Sequence, residues 1–389
     1  MKEGWEYCQL EDAVKKGSSN ISLNKIKGED GEYPVFAAKG FVQNVSFYHQ
    51  EEDYLAIIKD GAGIGRVSKH PAKSSVVGTM QYLIPKEGFD IDFIKYFLEG
   101  IDFEKHRNGS TIPHIYFKDY KSEKFPNIPL PEQQCIVSIL DQAFAAIDKA
   151  KANAEENLQN AKELFESYLQ GVFEKKGDGW IQTTLSDLFN VKHGFAFQGK
   201  YFSNNGEYVL LTPGNFYEEG GYRDRGEKQK YYNGKIPSDF ILKKGDLLVA
   251  MTEQAAGLLG SPIIVPESNK FLHNQRLGLI IPKQDVEIDN EFFYHVFNLK
   301  KVRQALHDSG TGVKVRHTSP KKIGQVEISY PKKKKEQQTI VRQLDDLRAE
   351  TQKLETVYQK KMQDLEELKK SVLQKAFTGE LEIEKAVVV

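Results

Sequence analysis

Cysteine is almost missing from this chain of 389 residues: Cys8 and Cys135 are its only two. They build neither a disulfide framework nor a metal-ligand set, and such usage suits a reducing compartment, the cytoplasm. No stretch approaches the roughly 18 apolar residues that a membrane-spanning helix requires. The opening residues Met1–Glu6 hold no apolar run, so no signal peptide is expected. The marks of catalysis are missing too. There is no Gly-x-x-x-x-Gly-Lys-Ser/Thr phosphate loop, no His-Glu-x-x-His, no Cys-x-x-Cys and no Gly-x-Ser-x-Gly elbow. Also missing is the Asn/Asp-Pro-Pro-aromatic stretch with which amino-methyltransferases hold a flipped base. The nine histidines are scattered, and none lies beside an evident nucleophile. A net charge of −1 excludes a uniformly basic surface. What remains is a non-catalytic protein that recognises and organises.

What is present is a long internal repeat. Glu132-Gln133-Gln134, Ile136, Val137, Leu140 and Asp141 return as Glu336-Gln337-Gln338, Ile340, Val341, Leu344 and Asp345, 204 residues later. The offset holds through Leu164, Ser167, Leu169, Gln170 and Phe173, matched by Leu368, Ser371, Leu373, Gln374 and Phe377. Solenoid repeats recur every 20–50 residues or so, so this period marks two similar halves, each a globular part followed by a long helix. Spacings of 4 and 3 build an apolar seam for another helix. Its expected members are Ile136, Leu140, Ile147, Leu164 and Tyr168 in the first copy. In the second they are Ile340, Leu344, Leu347, Leu354, Tyr358, Leu365 and Leu368. Asn157 and Lys361 fall at equivalent seam positions, where a polar residue can fix register. The Ala-rich first seam suits the Leu-rich second, so the two helices are expected to pair with each other.

The globular parts open alike, at Trp5 and at Trp180. In the first, strands are expected at Tyr33–Ala38, Tyr54–Ile58 and Val76–Ile84, and a helix at Asp92–Glu99. In the second, strands are expected at Tyr208–Thr212, Asp246–Met251, Pro262–Val265 and Arg276–Pro282, and a helix at Asn290–Asn298. The Gly-rich stretch Asp60–Arg66 follows a strand, as a dinucleotide loop would. Val67–Pro71 after it reads as strand and turn, and without a helix N-terminus there is nothing to hold a pyrophosphate. It reads instead as a tight turn with Arg66 at its exit.

Charge is concentrated locally. Lys300 to Lys335 holds eleven Lys and Arg against Asp308 and Glu327, and Lys105 to Lys124 is also basic. Such stripes bind phosphate even in a neutral chain, although a solvated face is an equal reading for either alone. Each stripe contains a Gly-hinged loop rich in hydroxyls that ends in histidine: Asn108–His114 and Ser309–His317. Short donors and acceptors on a bendable backbone suit contact with phosphates and base edges.

These residues together resemble the specificity subunit of type I restriction-modification systems. The resemblance rests on Pro131-Glu132-Gln133-Gln134 through Phe173 and on Glu336-Gln337-Gln338 through Phe377. Lys244–Met251, the Gly61–Arg66 turn and the Gly109–His114 loop also look like stretches of its target recognition domains. It implies an α+β fold with two similar α/β target recognition domains, separated by two long antiparallel helices in a coiled coil and arranged with pseudo-two-fold symmetry. The boundaries are 1–130 and 176–333 for the domains, 131–175 and 334–378 for the helices, and 379–389 for a tail returning near Trp5. It also implies double-stranded DNA as ligand, each domain reading half of a split, asymmetric site in a prokaryotic cytoplasm. Two methyltransferase (modification) subunits and the restriction/translocase subunits would be partners. S-adenosylmethionine, ATP and Mg would be held by those partners, with no cofactor in this chain. The expected DNA contacts are Arg66, Lys69, Arg107, Ser110, Thr111 and His114, then Thr252, Gln254, Arg276, Lys314, Arg316 and His317. The rival expectation is a scaffold of two adaptor domains on a coiled-coil arm, with no nucleic acid.

Overall fold

The run Tyr54-Leu55-Ala56-Ile57-Ile58 is buried at every residue, and the first domain is built around it. In the computed structural model, which describes residues 4–109, 111–253, 257–312 and 314–381, the chain divides into two units. One comprises residues 1–157 and 358–389, the other residues 158–357. In the first unit the antiparallel sheet order is Val14–Ser18, Met80–Pro85, Tyr54–Ile58, Val67–His70. Side chains alternate across a strand. Leu55 and Ile57 therefore face one core, with Leu10, Phe93 and Phe97, while Tyr54, Ala56 and Ile58 face another, with Val35, Val45 and Tyr82. Burial on both faces explains a run with no polar alternation. Helix Ile91–Glu99 covers the first face, and Asp90 caps it by accepting from the N–H groups of Asp92 and Phe93. The expected strand Val76–Ile84 is instead two strands, Ser75–Val76 and Met80–Pro85. The break is at Gly78, whose N–H donates to Ile21 O.

The second unit repeats the plan. Its sheet order is Phe189–His193, Leu277–Pro282, Leu247–Ala250, Pro262–Ile264. Leu247 and Val249 face one core, Leu248 and Ala250 the other. Helix Asn290–Phe297 is capped by Asp289 as its counterpart is by Asp90. The unit adds a helix at Lys300–Ser309, where the sequence suggested only a basic stripe. Only Val302 and Leu306 are buried there, too sparse an apolar pattern to announce a helix.

The repeated Glu-Gln pair forms the joint between each domain and a long helix. In the first unit the Gln133 side chain is fully buried. Its Oε1 accepts from Asp90 N (2.8 Å), and its Nε2 donates to Gly88 O (3.0 Å) and Ile128 O (2.8 Å). In the second, Gln337 accepts from Asp289 N (2.8 Å) and donates to Glu287 O (3.0 Å) and Pro331 O (2.9 Å). The neighbouring glutamates accept from tryptophan: Trp5 Nε1 donates to Glu132 and Trp180 Nε1 to Glu336. The opening tryptophans and the Glu-Gln pairs, distant in sequence, are thus one motif.

The long helices span Leu130–Lys175 and Lys334–Thr378. In the first unit their packing is antiparallel: Asp148 meets Lys369, and Lys151 meets Glu366. Leu373 and Ala376, with Phe377 against them, close on the same core as Ile136, Leu140 and Ile147, and Leu381 packs against that core. In the second unit Leu169 and Phe173 share a core with Ile340, Val341 and Leu344. Leu347, Tyr358 and Leu365 are half-buried. Four expected seam residues are corrected: Leu164 (50 %), Tyr168 (40 %), Leu354 (41 %) and Leu368 (48 %) are exposed. Asn157 and Lys361 are exposed as well and take no place in the seam. After Ala154 the inward positions are Leu158 and Phe165, half-buried, and Ala161, Leu169 and Phe173, buried; from Ala161 onward steps of 4 replace the alternation of 3 and 4. A strict heptad drifts by about 20° per repeat on a straight helix, and longer steps correct the drift.

Each domain buries a histidine. Burial pushes His70 and His273 down to about 4 from 6.5. The unfolded chain then binds more protons than the folded one between pH 6.5 and about 4, so stability is full above pH 6.5 and is lost as pH falls through that window. Replacing both with glutamine is expected to flatten the decline in unfolding temperature across it, as read by calorimetry at stepped pH.

Candidate nucleic-acid interface

In both domains the polar candidates gather where the central strand ends. In the first unit the strand runs on as Lys59 and Asp60. Lys59 N–H donates to Thr79 O (3.0 Å), and Lys59 O accepts from Ile115 N–H (2.9 Å). In the second it runs on as Met251 and Thr252. Met251 N–H donates to Arg276 O (2.9 Å), and Met251 O accepts from Thr318 N–H (2.9 Å). Three segments therefore meet at each strand end: the strand's exit, the entry to the neighbouring strand, and the histidine-terminated loop.

That loop is closed in the same way twice. Asn108 and His114 exchange backbone hydrogen bonds at 2.8 Å each, as do Thr311 and His317 at 2.9 and 2.8 Å. The residue after the first partner is glycine in both, Gly109 at φ +80° and Gly312 at φ +107°. A Cβ there would lie 2.4 Å from Ile112 O and 2.1 Å from Val315 O, so only glycine closes these loops. The true counterpart of Gly109 is thus Gly312, and Asn108 pairs with Thr311 in the comparison.

Beneath the second loop lies a buried charge cluster that sequence reasoning missed. The Glu253 side chain is 2 % exposed. Its Oε2 accepts from Gly257 N (3.1 Å) and Leu259 N (2.9 Å), and its Oε1 lies 3.9 Å from both His307 Nε2 and Arg316 Nε. Arg316 donates to His307 Nε2 (3.1 Å) and His307 O (2.5 Å). Arg303 donates to Glu218 O and Gly257 O. In the first unit the loop histidine His114 faces Asp60, which lies 3.4 Å from its Nδ1. No sequence motif announces Glu253; only the pairing of Glu253 with Arg316 across the two loops reveals it.

The expected contacts separate accordingly. Thr111, His114, Thr252, Arg276, Lys314 and His317 belong to the two strand-end rims. Arg107 is exposed one residue before the first loop and pairs with Glu104 (3.1 Å). Arg66 is exposed at the turn exit, and its Nη2 donates to Ala38 O (2.6 Å). The turn leads into strand Val67–His70 with no helix, as expected. Lys69 sits mid-strand opposite Leu55 with its ammonium 2.7 Å from Asp92, so it anchors a helix rather than joining the rim. Arg316 is half-buried in the Glu253 cluster and holds the loop from beneath. Ser110 and Gln254 lie outside the described residues. Lys59 and Thr79 are additional rim residues that the sequence did not single out, and Asp60, which opens the Gly-rich stretch, joins them.

Residues 2–157 and 177–363 match the family described as the type I restriction modification DNA specificity domain. The chain belongs to that family. It is 22% identical over 411 residues to the type I restriction enzyme MjaVIII specificity subunit of Methanocaldococcus jannaschii, covering 98% of this chain and 94% of that one. The EcoBI specificity subunit of Escherichia coli is 27% identical over 223 residues, 57% of this chain; the match spans 43% of that subunit's length. Among solved structures, the HsdS subunit of Thermoanaerobacter tengcongensis superposes with a TM-score of 0.61 at 14% identity over 98% of both chains. A chain from a study of complex assembly and conformational transition of the type I R-M system gives a TM-score of 0.77 at 13% identity, over 98% of this chain and 99% of that one. As a type I specificity subunit, the chain recognises DNA sequence and is not itself the catalyst; the scaffold reading without DNA is set aside. DNA is its ligand. Among the described residues no helix is long and apolar enough to cross a membrane, and no group of three or more His, Cys, Asp or Glu could hold a metal ion.

Proposed function

We propose that each domain of this specificity subunit reads one half of a bipartite, asymmetric site in double-stranded DNA through its strand-end rim. The observation that carries this reading is the duplication of the closed Gly-to-His loop at the end of each central strand, with different exposed side chains around it. Two equivalent frames with unlike side chains suit two unlike half-sites. The paired helices set the spacer and dock two modification subunits, which supply S-adenosylmethionine and adenine methylation. Restriction/translocase subunits supply ATP and Mg chemistry, in a prokaryotic cytoplasm. The exposed Leu164, Tyr168, Leu354 and Leu368 support docking on the helices, since apolar residues left open on a packed pair suit a partner. Leu164→Glu with Leu368→Glu is expected to leave the unfolding temperature of the chain nearly unchanged and to weaken capture of the modification subunits at least tenfold or so, about 1.4 kcal/mol. Capture at undiminished affinity would place docking away from both leucines.

The reading itself is tested by hydroxyl-radical footprinting of the assembled chain and modification subunits on a methylatable duplex. Two protected segments with an open gap are expected. One continuous or single short segment would contradict bipartite reading. In the same assembly, Arg107→Ala and Lys314→Ala are each expected to reduce the slope of log affinity against log salt by about 1. Arg316→Ala is expected to act through loop stability.

A further inference from the structure

Comparison of the two rims separates frame from message. Backbone hydrogen bonds place Lys59 and Met251 in the same position, and with them Thr79 and Arg276, each of which accepts from that residue's N–H. The strand registers agree: Ile58 faces Met80 as Ala250 faces Leu277, one step further in. On this shared frame some residues are the same in both domains, Gly109 with Gly312 and His114 with His317. Others differ, and of these Thr79 and Arg276 are both exposed at the entry to the neighbouring strand. Arg276 makes no ion pair among the described residues, whereas Arg66, Arg303 and Arg316 are all held by carbonyl oxygens of their own domain. An exposed guanidinium on a rigid strand end is free to address a base.

We propose that Thr79 and Arg276 are equivalent specificity-determining positions, each selecting a base in the half-site of its own domain. The proposal rests on the DNA-reading function above. A residue common to both rims cannot distinguish two different half-sites, so His114 and His317 serve contacts independent of sequence. A residue that differs on an identical backbone frame can. Arginine offers paired donors that match guanine O6 and N7, whereas a threonine offers one hydroxyl and a methyl that suits thymine. The two positions therefore favour different bases, which accounts for asymmetry without any difference in fold.

The test is methylation mapping on genomic DNA from cells that express the full chain with its modification subunits. Four variants are compared with the unaltered chain: Thr79→Arg, Arg276→Ala, His114→Ala and His317→Ala. Arg276→Ala is expected to relax one half-motif at one or two positions, the preference there falling roughly 5- to 150-fold, while the other half stays intact. Thr79→Arg is expected to change only the opposite half. The histidine variants are expected to lower methylation without altering either half. Unchanged halves in both the Thr79 and Arg276 variants would overturn the proposal. So would a complete loss of methylation in a chain that still unfolds at its normal temperature, which would make these affinity residues. A changed motif in a histidine variant would overturn the division into frame and message. A motif that survives deletion of the whole chain would instead remove the DNA-reading function, so the two failures are distinguishable.

Discussion

Gln337→Ala is expected to lower the unfolding temperature of the second unit by roughly 6–12 °C. The side chain is fully buried and meets three backbone groups: Asp289 N, Glu287 O and Pro331 O. Alanine leaves all three without a partner, and each buried unpaired group costs about 1–3 kcal/mol. Even the low end totals about 3 kcal/mol, and each 1 kcal/mol moves the midpoint by about 2–4 °C in a unit of 150–250 residues or so. Water entering the space relieves part of the cost, which keeps the expectation at the low end. Gln337→Glu, which keeps the acceptor and loses the donors, should fall between. Gln133→Ala should act likewise on the first unit. Calorimetry decides: a midpoint within about 1 °C of the unaltered chain would mean that the glutamines do not hold the helices to the domains.

Glu253→Ala is the second large effect. The carboxylate ties Gly257 and Leu259 together and faces Arg316 and His307. Its removal leaves two N–H groups unpaired and a half-buried guanidinium without a counter-charge. Breaking a buried pair by removing one partner costs about 3–5 kcal/mol; Arg316 is 30 % exposed, so the lower end applies. The consequence reaches further than stability, because the Glu253 cluster lies directly under the loop that carries Lys314 and His317. Methylation should fall at least tenfold or so, and Glu253→Gln, which keeps an acceptor in place, should restore part of it. Methylation at the normal level in a folded Glu253→Ala chain would show that the loop needs no support from below.

The doubled architecture was legible because it is written in contiguous residues. The offset of 204 survives from Glu132 to Phe173, and helix-to-helix packing acts on neighbouring turns, which sequence spacing reports directly. The strands were legible for the same reason: Tyr54–Ile58 is one unbroken apolar run. The seam failed at Leu164 and Leu368 because a fixed heptad cannot show where a straight helix drifts from it. Thr79 could not be found at all from sequence. Its place beside Lys59 depends on strand register, a property of pairs of distant residues. Arg316 misled for a related reason. In a basic, Gly-hinged loop it looks like a phosphate contact, and only the buried Glu253, 63 residues earlier in the chain, turns it inward.

Genome-wide mapping of methylated adenine, in cells carrying this chain with its modification subunits and in cells lacking this chain alone, tests the DNA-reading function most directly. A split motif with two unlike halves, lost when the chain is deleted, is the expected result. The same methylated motif persisting without the chain would contradict it.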